Sequence, residues 1–234
     1  MVLFFDLDRT LWDFERNSRN ALALLYQKYA LDQFGVPSVD RFSEVYHVYN
    51  DQMWLAYEAG TLDRESLRWI RFFRTLEHFG IQNPSMSRQI AEEYIQVAPR
   101  QSLLIEGAQE TLRILQERYT MHILTNGFGE AQQTKLEASG IRAYFGQLIH
   151  SDLQGFKKPD KRIFQLANEM TGTKPEACVM IGDDWHADIH GALAAGWRAI
   201  WYQDARNTGK TAPCQIVTQL IDLPQRLAQY SNGQ

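Results

Sequence analysis

Cysteine is almost missing from this chain: Cys178 and Cys214 are the two present, and they stand in unrelated contexts. Neither belongs to a CxxC pair or lies beside histidines at zinc-ligand spacing, so a disulfide framework and a zinc finger are both excluded and reduced thiols are expected. Long apolar runs are missing too. Nothing approaches the roughly 18 to 20 residues that cross a bilayer, and the opening Met1 to Phe5 lacks a basic segment or a small-residue cleavage site. A cytoplasmic protein without membrane contact is the expectation. Excess positive charge is also lacking: 24 Lys and Arg face 28 Asp and Glu, a formal net charge of -4. No broad basic field exists for a nucleic-acid polymer, and an anionic substrate must meet local positive charge. Internal repeats and low-complexity stretches do not occur. What is there is ordinary globular material, 234 residues with 44% hydrophobic and 22% charged side chains. That is enough for one large domain or for a core carrying an insertion, expected as a monomer or weak dimer.

The pattern changes twice along the chain. Val2 to Phe5 reads as a short buried strand that stops abruptly in Asp6-Leu7-Asp8-Arg9-Thr10. From about Glu15 to Val97 the apolar spacing is helical. One helix runs through Ala21, Leu24, Leu25 and Tyr29, and another begins near Ser38 and stops at Gly60. A third runs through Leu67, Ile70, Phe73 and Leu76 to Gly80, and a fourth through Ile90, Tyr94 and Val97. After Pro99 short apolar strands alternate with helices, the pattern of a parallel sheet with crossover helices. Strands are expected at His122 to Leu124, Gln147 to His150, Cys178 to Ile181 and Arg198 to Tyr202. Helices are expected at Ala108 to Arg118, Glu130 to Ser139, Asp160 to Met170 and Ala187 to Ala195, with glycines 140, 172 and 196 as C-caps. The fold expected is therefore α/β: a doubly wound, Rossmann-like parallel sheet core, residues 1–14 and 99–234, with an inserted all-helical cap domain, residues 15–98. Hinges are expected near 12–16 and 97–102, where the insertion leaves and rejoins the core.

In open sheets of this kind ligands lie beyond the carboxyl ends of the strands. Asp6 and Asp8 follow the first strand, Thr125 and Asn126 the second, Lys158 the third, and Asp183, Asp184 and Asp188 the fourth. So many carboxylates repel one another and any phosphate: one carboxylate about 4 Å from a phosphate dianion is opposed by roughly 8 kcal/mol at an effective dielectric near 20. Mg²⁺ and Lys158 offset that, and Mg²⁺ suits an all-oxygen ligand set of Asp6, the Asp8 carbonyl and Asp183. The second Asp6 oxygen can then attack phosphorus, giving a covalent intermediate that water cleaves. Asp8 is placed to protonate the leaving alkoxide and later to deprotonate the water. Thr125, the amides of Asn126 and Gly127, and Lys158 are candidates to hold the transferring oxygens. Taken singly, Thr125 and Asn126 also read as turn residues and Asp183 to Asp188 as a capped helix start. Asp188 reaches the metal through water or holds Lys158, while Asp184 orients a loop. His186 reads as a surface residue.

The ordered motifs DLDRT (6–10), ILTNG (123–127), GFKKPD (155–160) and GDDWHAD (182–188) resemble those of the haloacid dehalogenase superfamily of phosphatases. The resemblance spans nearly the whole chain, because the helical segment is similar to that superfamily's first type of cap. It implies that Lys158, directly before Pro159, is the motif lysine rather than Lys157. Arg9 stands where many members have glycine, and either touches the substrate or points to solvent. The opening FFDLDRTLWDFE and the aromatic-rich cap are similar to 5'-nucleotidases acting on pyrimidine nucleoside monophosphates, noncanonical ones included. A small-molecule phosphomonoester is thus the implied substrate. Tyr46, Tyr49, Trp54, Tyr57, Trp69 and Phe73 are spaced for helix packing, with one or two left to face a base. Sugar-phosphate phosphatases and phosphate-transferring mutases share the motifs. The family's 2-haloacid dehalogenases lack the second aspartate, so Asp8 argues against that reaction. Receiver-like signalling proteins carry their acidic pair on early strands and have no cap, and an inactive scaffold is the remaining alternative.

Overall fold

The computed structural model describes residues 1–153, 155–204 and 209–231. They fall into two compact units, Met1–Phe14 joined with the chain from Ser102 onward, and Glu15–Gln101. Between β1 (Val2–Phe5) and β2 (Thr120–Thr125) the chain runs through the second unit, which is built from α1 (Phe14–Lys28), α2 (Val39–Glu58), α3 (Arg64–His78) and α4 (Pro84–Val97). This unit reaches Gln101 rather than 98, because a short turn over Ala98–Arg100 continues from α4.

Each of three helices starts on a side-chain cap. Ser38 accepts a hydrogen bond from Arg41 N (3.1 Å), Asp63 from Ser66 N (2.8 Å), and Asn83 from Met86 N (3.0 Å) with Pro84 in the first helical position. The oxygens satisfy amides that have no partner inside the helix. Leu22, Leu25, Phe42, Tyr46, Phe72, Leu76, Ile90 and Tyr94 form the unit's core. Two expectations from the periodicity need correcting. In α3 the buried stripe is Leu67, Arg71, Phe72, Thr75 and Leu76, not Ile70 and Phe73, because Trp69, Ile70, Phe72 and Phe73 put apolar groups all round the helix and mark no single face. Leu24 is exposed, not packed.

The first unit holds a wholly parallel sheet in the order β3-β2-β1-β4-β5-β6, with β3 (Leu148–His150), β4 (Cys178–Gly182), β5 (Arg198–Tyr202) and β6 (Gln215–Val217). Alternate residues point to opposite faces, and both faces are covered, which is why the strands read as continuous apolar runs. Leu3, Phe5, Ile123 and Ile181 lie on one face with α5 (Ala108–Leu115), Leu136 of α6 (Gly129–Ala138), and Leu223 and Leu227 of α9 (Leu223–Ser231). Phe4, Leu124 and Met180 lie on the other with α7 (Lys161–Thr171) and Ala192 of α8 (Gly191–Ala194). The edge strand β6 and helix α9 went unmarked in the sequence. Gly140, Gly172 and Gly196 do take the left-handed conformation after their helices, with φ of 70°, 64° and 82°. Strand order reverses at β1, so β2 and β4 flank it and the switch point that gathers ligands in such sheets lies at its carboxyl end.

Candidate active site

Asp6 is the residue at that switch point. Its N–H donates to Ile181 O (2.9 Å), carrying the β1–β4 pairing one residue past the strand and fixing the side chain between β2 and β4. The loop that follows is tied at both ends, Arg9 N to Trp12 O (2.9 Å) and Trp12 N to Leu7 O (2.8 Å). Arg9 is left-handed, φ 65°, a region glycine enters without penalty and other residues seldom occupy. Its guanidinium lies 4.7 Å from the ring of Phe14.

Lys158 brings the distant motifs together. Its Nζ donates to Asp6 Oδ1 (2.7 Å), Asp188 Oδ1 (2.6 Å) and Leu124 O (2.8 Å), and the side chain is 2% exposed. Asn126 holds the lysine's backbone from both sides, donating through Nδ2 to Lys158 O (3.0 Å) and accepting from Lys158 N (2.8 Å). Burial disfavours the ammonium, yet the charges of Asp188 and Asp6 outweigh it and hold the Lys158 pKa above its ordinary value. Burial raises Asp6 against the pull of Lys158, with Asp8 adding to the rise. Asp188 is raised further by burial, again opposed by Lys158, with Asp6, Asp183 and Asp184 acting in the same upward direction. One ammonium therefore serves more negative charge than it balances.

The last motif divides its aspartates by task. Asp184 caps the turn that follows, accepting from Ala187 N (2.7 Å), and the turn over Trp185–His190 is π-helical, a form found often at functional sites. That turn directs Asp188 back under β4, where Oδ2 accepts from Asp184 N (3.0 Å). Gly182 makes the room: a Cβ there would lie 2.1 Å from Asp188 Oδ2. Asp183 accepts from the Thr10 hydroxyl at 3.1 Å, and its own carbonyl accepts from Trp201 Nε1 at 2.9 Å. His186 is exposed and stacks on His190 with centroids 5.6 Å apart, outside this group.

Oxygen atoms of Asp6, Asp183 and Asp188 lie within 4.8 Å of one another. An all-carboxylate cluster with a single ammonium fits a hard divalent cation such as Mg²⁺. Both Asp188 oxygens are already engaged, one by Lys158 and one by the Asp184 amide, so Asp188 suits an outer position and Asp6 with Asp183 the inner one.

Thr125 ends β2 with its oxygen accepting from Gly127 N (3.1 Å) and from Gln132 Nε2 (2.7 Å). Those bonds use both lone pairs, which leaves the hydroxyl hydrogen as the group that donates outward. The Gly127 amide, expected to face the substrate, is thus turned onto Thr125 here. Asp8 makes contacts that the motifs did not announce: Lys135 Nζ lies 2.6 and 2.7 Å from its two oxygens, and Gln132 Nε2 lies 3.0 Å from Oδ2. Thr10, Gln132 and Lys135 were all missed from the sequence. The last two are polar yet buried beside Leu136 on α6, and their polarity gives no sign of that inward face in the sequence.

The aromatic side chains of the helical unit divide as well. Tyr46 and Tyr57 are buried, while Tyr49, Trp54, Trp69 and Phe73 are half-buried. Among the described residues no helix is long and apolar enough to cross a membrane, and both cysteines are free.

A profile of the haloacid dehalogenase-like hydrolases matches residues 1–196. The pyrimidine 5'-nucleotidase PynA of Streptococcus pneumoniae is 32% identical over 202 residues, covering 86% of this chain and 82% of the relative. The pyrimidine 5'-nucleotidase YjjG of Escherichia coli is 29% identical over 231 residues, 97% of this chain and 98% of the relative. The magnesium-bound crystal structure of YfnB from Bacillus subtilis superposes with a TM-score of 0.86 at 28% identity, covering 97% of this chain and 98% of that one.

Proposed function

Because this chain belongs to the haloacid dehalogenase-like hydrolases, we propose that it cleaves phosphate monoesters through an aspartyl-phosphate on Asp6, with pyrimidine nucleoside 5'-monophosphates as its substrates. The carrying observation is Asp6 itself, a buried carboxylate at the sheet's switch point, held by Lys158 beside Asp183 and Asp188. In the first step an Asp6 oxygen bonds to phosphorus, the bond to the leaving oxygen breaks, and that oxygen takes the proton of the Asp8 carboxyl. In the second, water attacks phosphorus, Asp8 takes its proton, and the Asp6–phosphorus bond breaks to release phosphate. Lys158 and the outward-donating Thr125 hydroxyl stabilise charge on the transferring oxygens. Asp6, Asp183 and the Asp8 carbonyl are the groups to hold Mg²⁺, which when bound neutralises the carboxylates and polarises the phosphoryl group. Asp8 favours phosphate over halide as leaving group, since a departing halide needs no proton.

The nucleotide reading is supported by the names of PynA and YjjG. The helical unit is the proposed cap, and its half-buried aromatics offer flat apolar surface for a base. The test is phosphate release with Mg²⁺ across pyrimidine and purine nucleotides, sugar phosphates and small phosphoesters. Pyrimidine monophosphates are expected to turn over fastest, and chelation to stop release until Mg²⁺ is restored. A flat response across nucleotides removes the substrate class, and release that persists in chelator removes the ligand set.

A further inference from the structure

Two side chains from α6 converge on Asp8, and neither belongs to a motif. Lys135 takes both carboxylate oxygens, at 2.6 and 2.7 Å, while its ammonium lies 4.4 Å from the ring of Trp12. This is no loose surface pair of the kind worth little: the Lys135 and Asp8 side chains are 11% and 28% exposed. Gln132, fully buried and one helical turn earlier, spans Asp8 Oδ2 and Thr125 Oγ1 with one nitrogen, at 3.0 and 2.7 Å. In the ionised form that acts as base in the second step the Asp8 carboxylate only accepts, so the amide nitrogen must be the atom facing it. Gly127 permits the approach, because a Cβ there would stand 2.3 Å from Gln132 Nε2.

We propose that Gln132 and Lys135 are positioning residues for the acid–base step: they fix the carboxyl plane of Asp8 and tie it to the hydroxyl of Thr125 in one frame. The inference rests on the reading of Asp8 as acid and base given above. Three observations carry it. Lys135 centres its charge on both oxygens of one carboxyl group, and Gln132 reaches one of them from a second direction, so that two separate donors fix how the group is turned. Gln132 links the proposed proton donor to the proposed phosphate ligand through a single atom. Both residues come from a regular helix, which holds geometry better than a loop does. A pair that only stabilised the fold would, when removed, slow every substrate alike. A pair that aims Asp8 matters in proportion to the leaving group's need for a proton.

The experiment compares uridine 5'-monophosphate, whose leaving group is a primary alkoxide, with p-nitrophenyl phosphate, whose phenolate leaves without help. Wild type, Asp8→Asn, Lys135→Met, Lys135→Arg and Gln132→Met are assayed with saturating Mg²⁺. Lys135→Met is expected to lower kcat/KM on the nucleotide by about 10- to 100-fold, a part of what a general acid contributes. KM is expected to hold within about threefold and the aryl ester to lose less than about fivefold by the same reasoning. Lys135→Arg, which keeps the positive charge against Asp8, is expected to recover most of the nucleotide rate. Gln132→Met keeps length and burial and reads the same split should Lys135→Met not fold. Equal losses on both esters in the Lys135 and Gln132 variants, with Asp8→Asn still selective for the alkyl ester, overturn this inference and leave the reading of Asp8 standing. An Asp8→Asn enzyme whose kcat/KM, which reports the step that expels the leaving group and not the shared hydrolysis of the aspartyl-phosphate, falls alike for both esters overturns both.

Discussion

Lys158 in the sheet unit and Arg71 in the helical unit are both long buried cations, and the two units treat them in opposite ways. In the sheet unit Lys158 is surrounded by carboxylates, Asp6 and Asp188 in contact and Asp183 nearby, and bonds to one backbone carbonyl. In the helical unit Arg71 has no carboxylate within ion-pair distance among the described residues. It donates to Asn50 Oδ1 (2.8 Å) and Arg68 O (3.3 Å), and lies over the rings of Tyr46, Phe72 and Tyr94 at 5.8, 5.6 and 5.3 Å. A delocalised guanidinium tolerates dipoles and ring faces as its surroundings, whereas a compact ammonium in a dry site requires anions. The difference teaches that the sheet unit concentrates charge at one point, where chemistry uses it, while the helical unit disperses charge so that helices can pack around it.

The largest break in that comparison comes from Asp6→Asn. The amide cannot attack phosphorus, and phosphate release is expected to fall on the order of 10⁴-fold or more, about 5 kcal/mol of lost transition-state stabilisation. The fold is expected to hold, because Lys158 keeps Asp188 as partner and a repulsion that raises the Asp188 pKa is removed. Phosphate release measured beside a denaturation midpoint checks both halves. Substantial activity in the variant rules out the aspartyl-phosphate.

A smaller effect separates the two buried cations directly, by chemical denaturation in the presence of chelator. Lys158→Met strands Asp6 and Asp188 against each other, and breaking a buried pair from one side costs about 3–5 kcal/mol. Arg71→Met strands no anion and loses one good hydrogen bond with its ring contacts, so about 1 kcal/mol is expected. Equal losses in the two variants erase the distinction drawn above.

The sheet unit was the more legible of the two in sequence, and the reason is the same concentration of function. Buried parallel strands are short apolar runs, and each ends where a polar residue is needed, so Val2 to Phe5 and Arg198 to Tyr202 were read to the residue. Asp6, Lys158, Asp183 and Asp188 follow strands at spacings that few other folds require. β6 stayed hidden because Gln215–Val217 pairs on one side only and needs little apolar sequence. Gln132 and Lys135 stayed hidden because in Gln132-Gln133-Thr134-Lys135 polarity reads as a solvated face, and only the sheet edge packed against α6 turns it inward. In α3 the failure was the reverse: too many apolar residues, not too few, left the buried stripe undetermined.

The smallest effect tests the helical unit's rim, where charge acts through solvent instead of a buried partner. Tyr29 donates its hydroxyl to Glu93 Oε1 at 3.0 Å, and Lys28 donates to the same oxygen at 2.8 Å. Partial burial, then the hydrogen bond and the negative charge of Glu93, push the Tyr29 phenol from 10.0 up to about 12. A raised pKa means that the folded state favours the neutral phenol. The stabilisation is therefore whole below pH 10 and lost as pH climbs toward 12, the window these values set. Following phenolate absorbance through that window, Glu93→Gln is expected to move one tyrosine's titration downward, because it removes the charge while keeping an acceptor oxygen. Activity should not move with it, since Tyr29 and Glu93 belong to no part of the proposed machinery. A variant that shifts phosphate release but leaves the phenol's titration in place would show that charge in the helical unit is coupled to the chemistry, and that the division between concentrated and dispersed charge is too sharp.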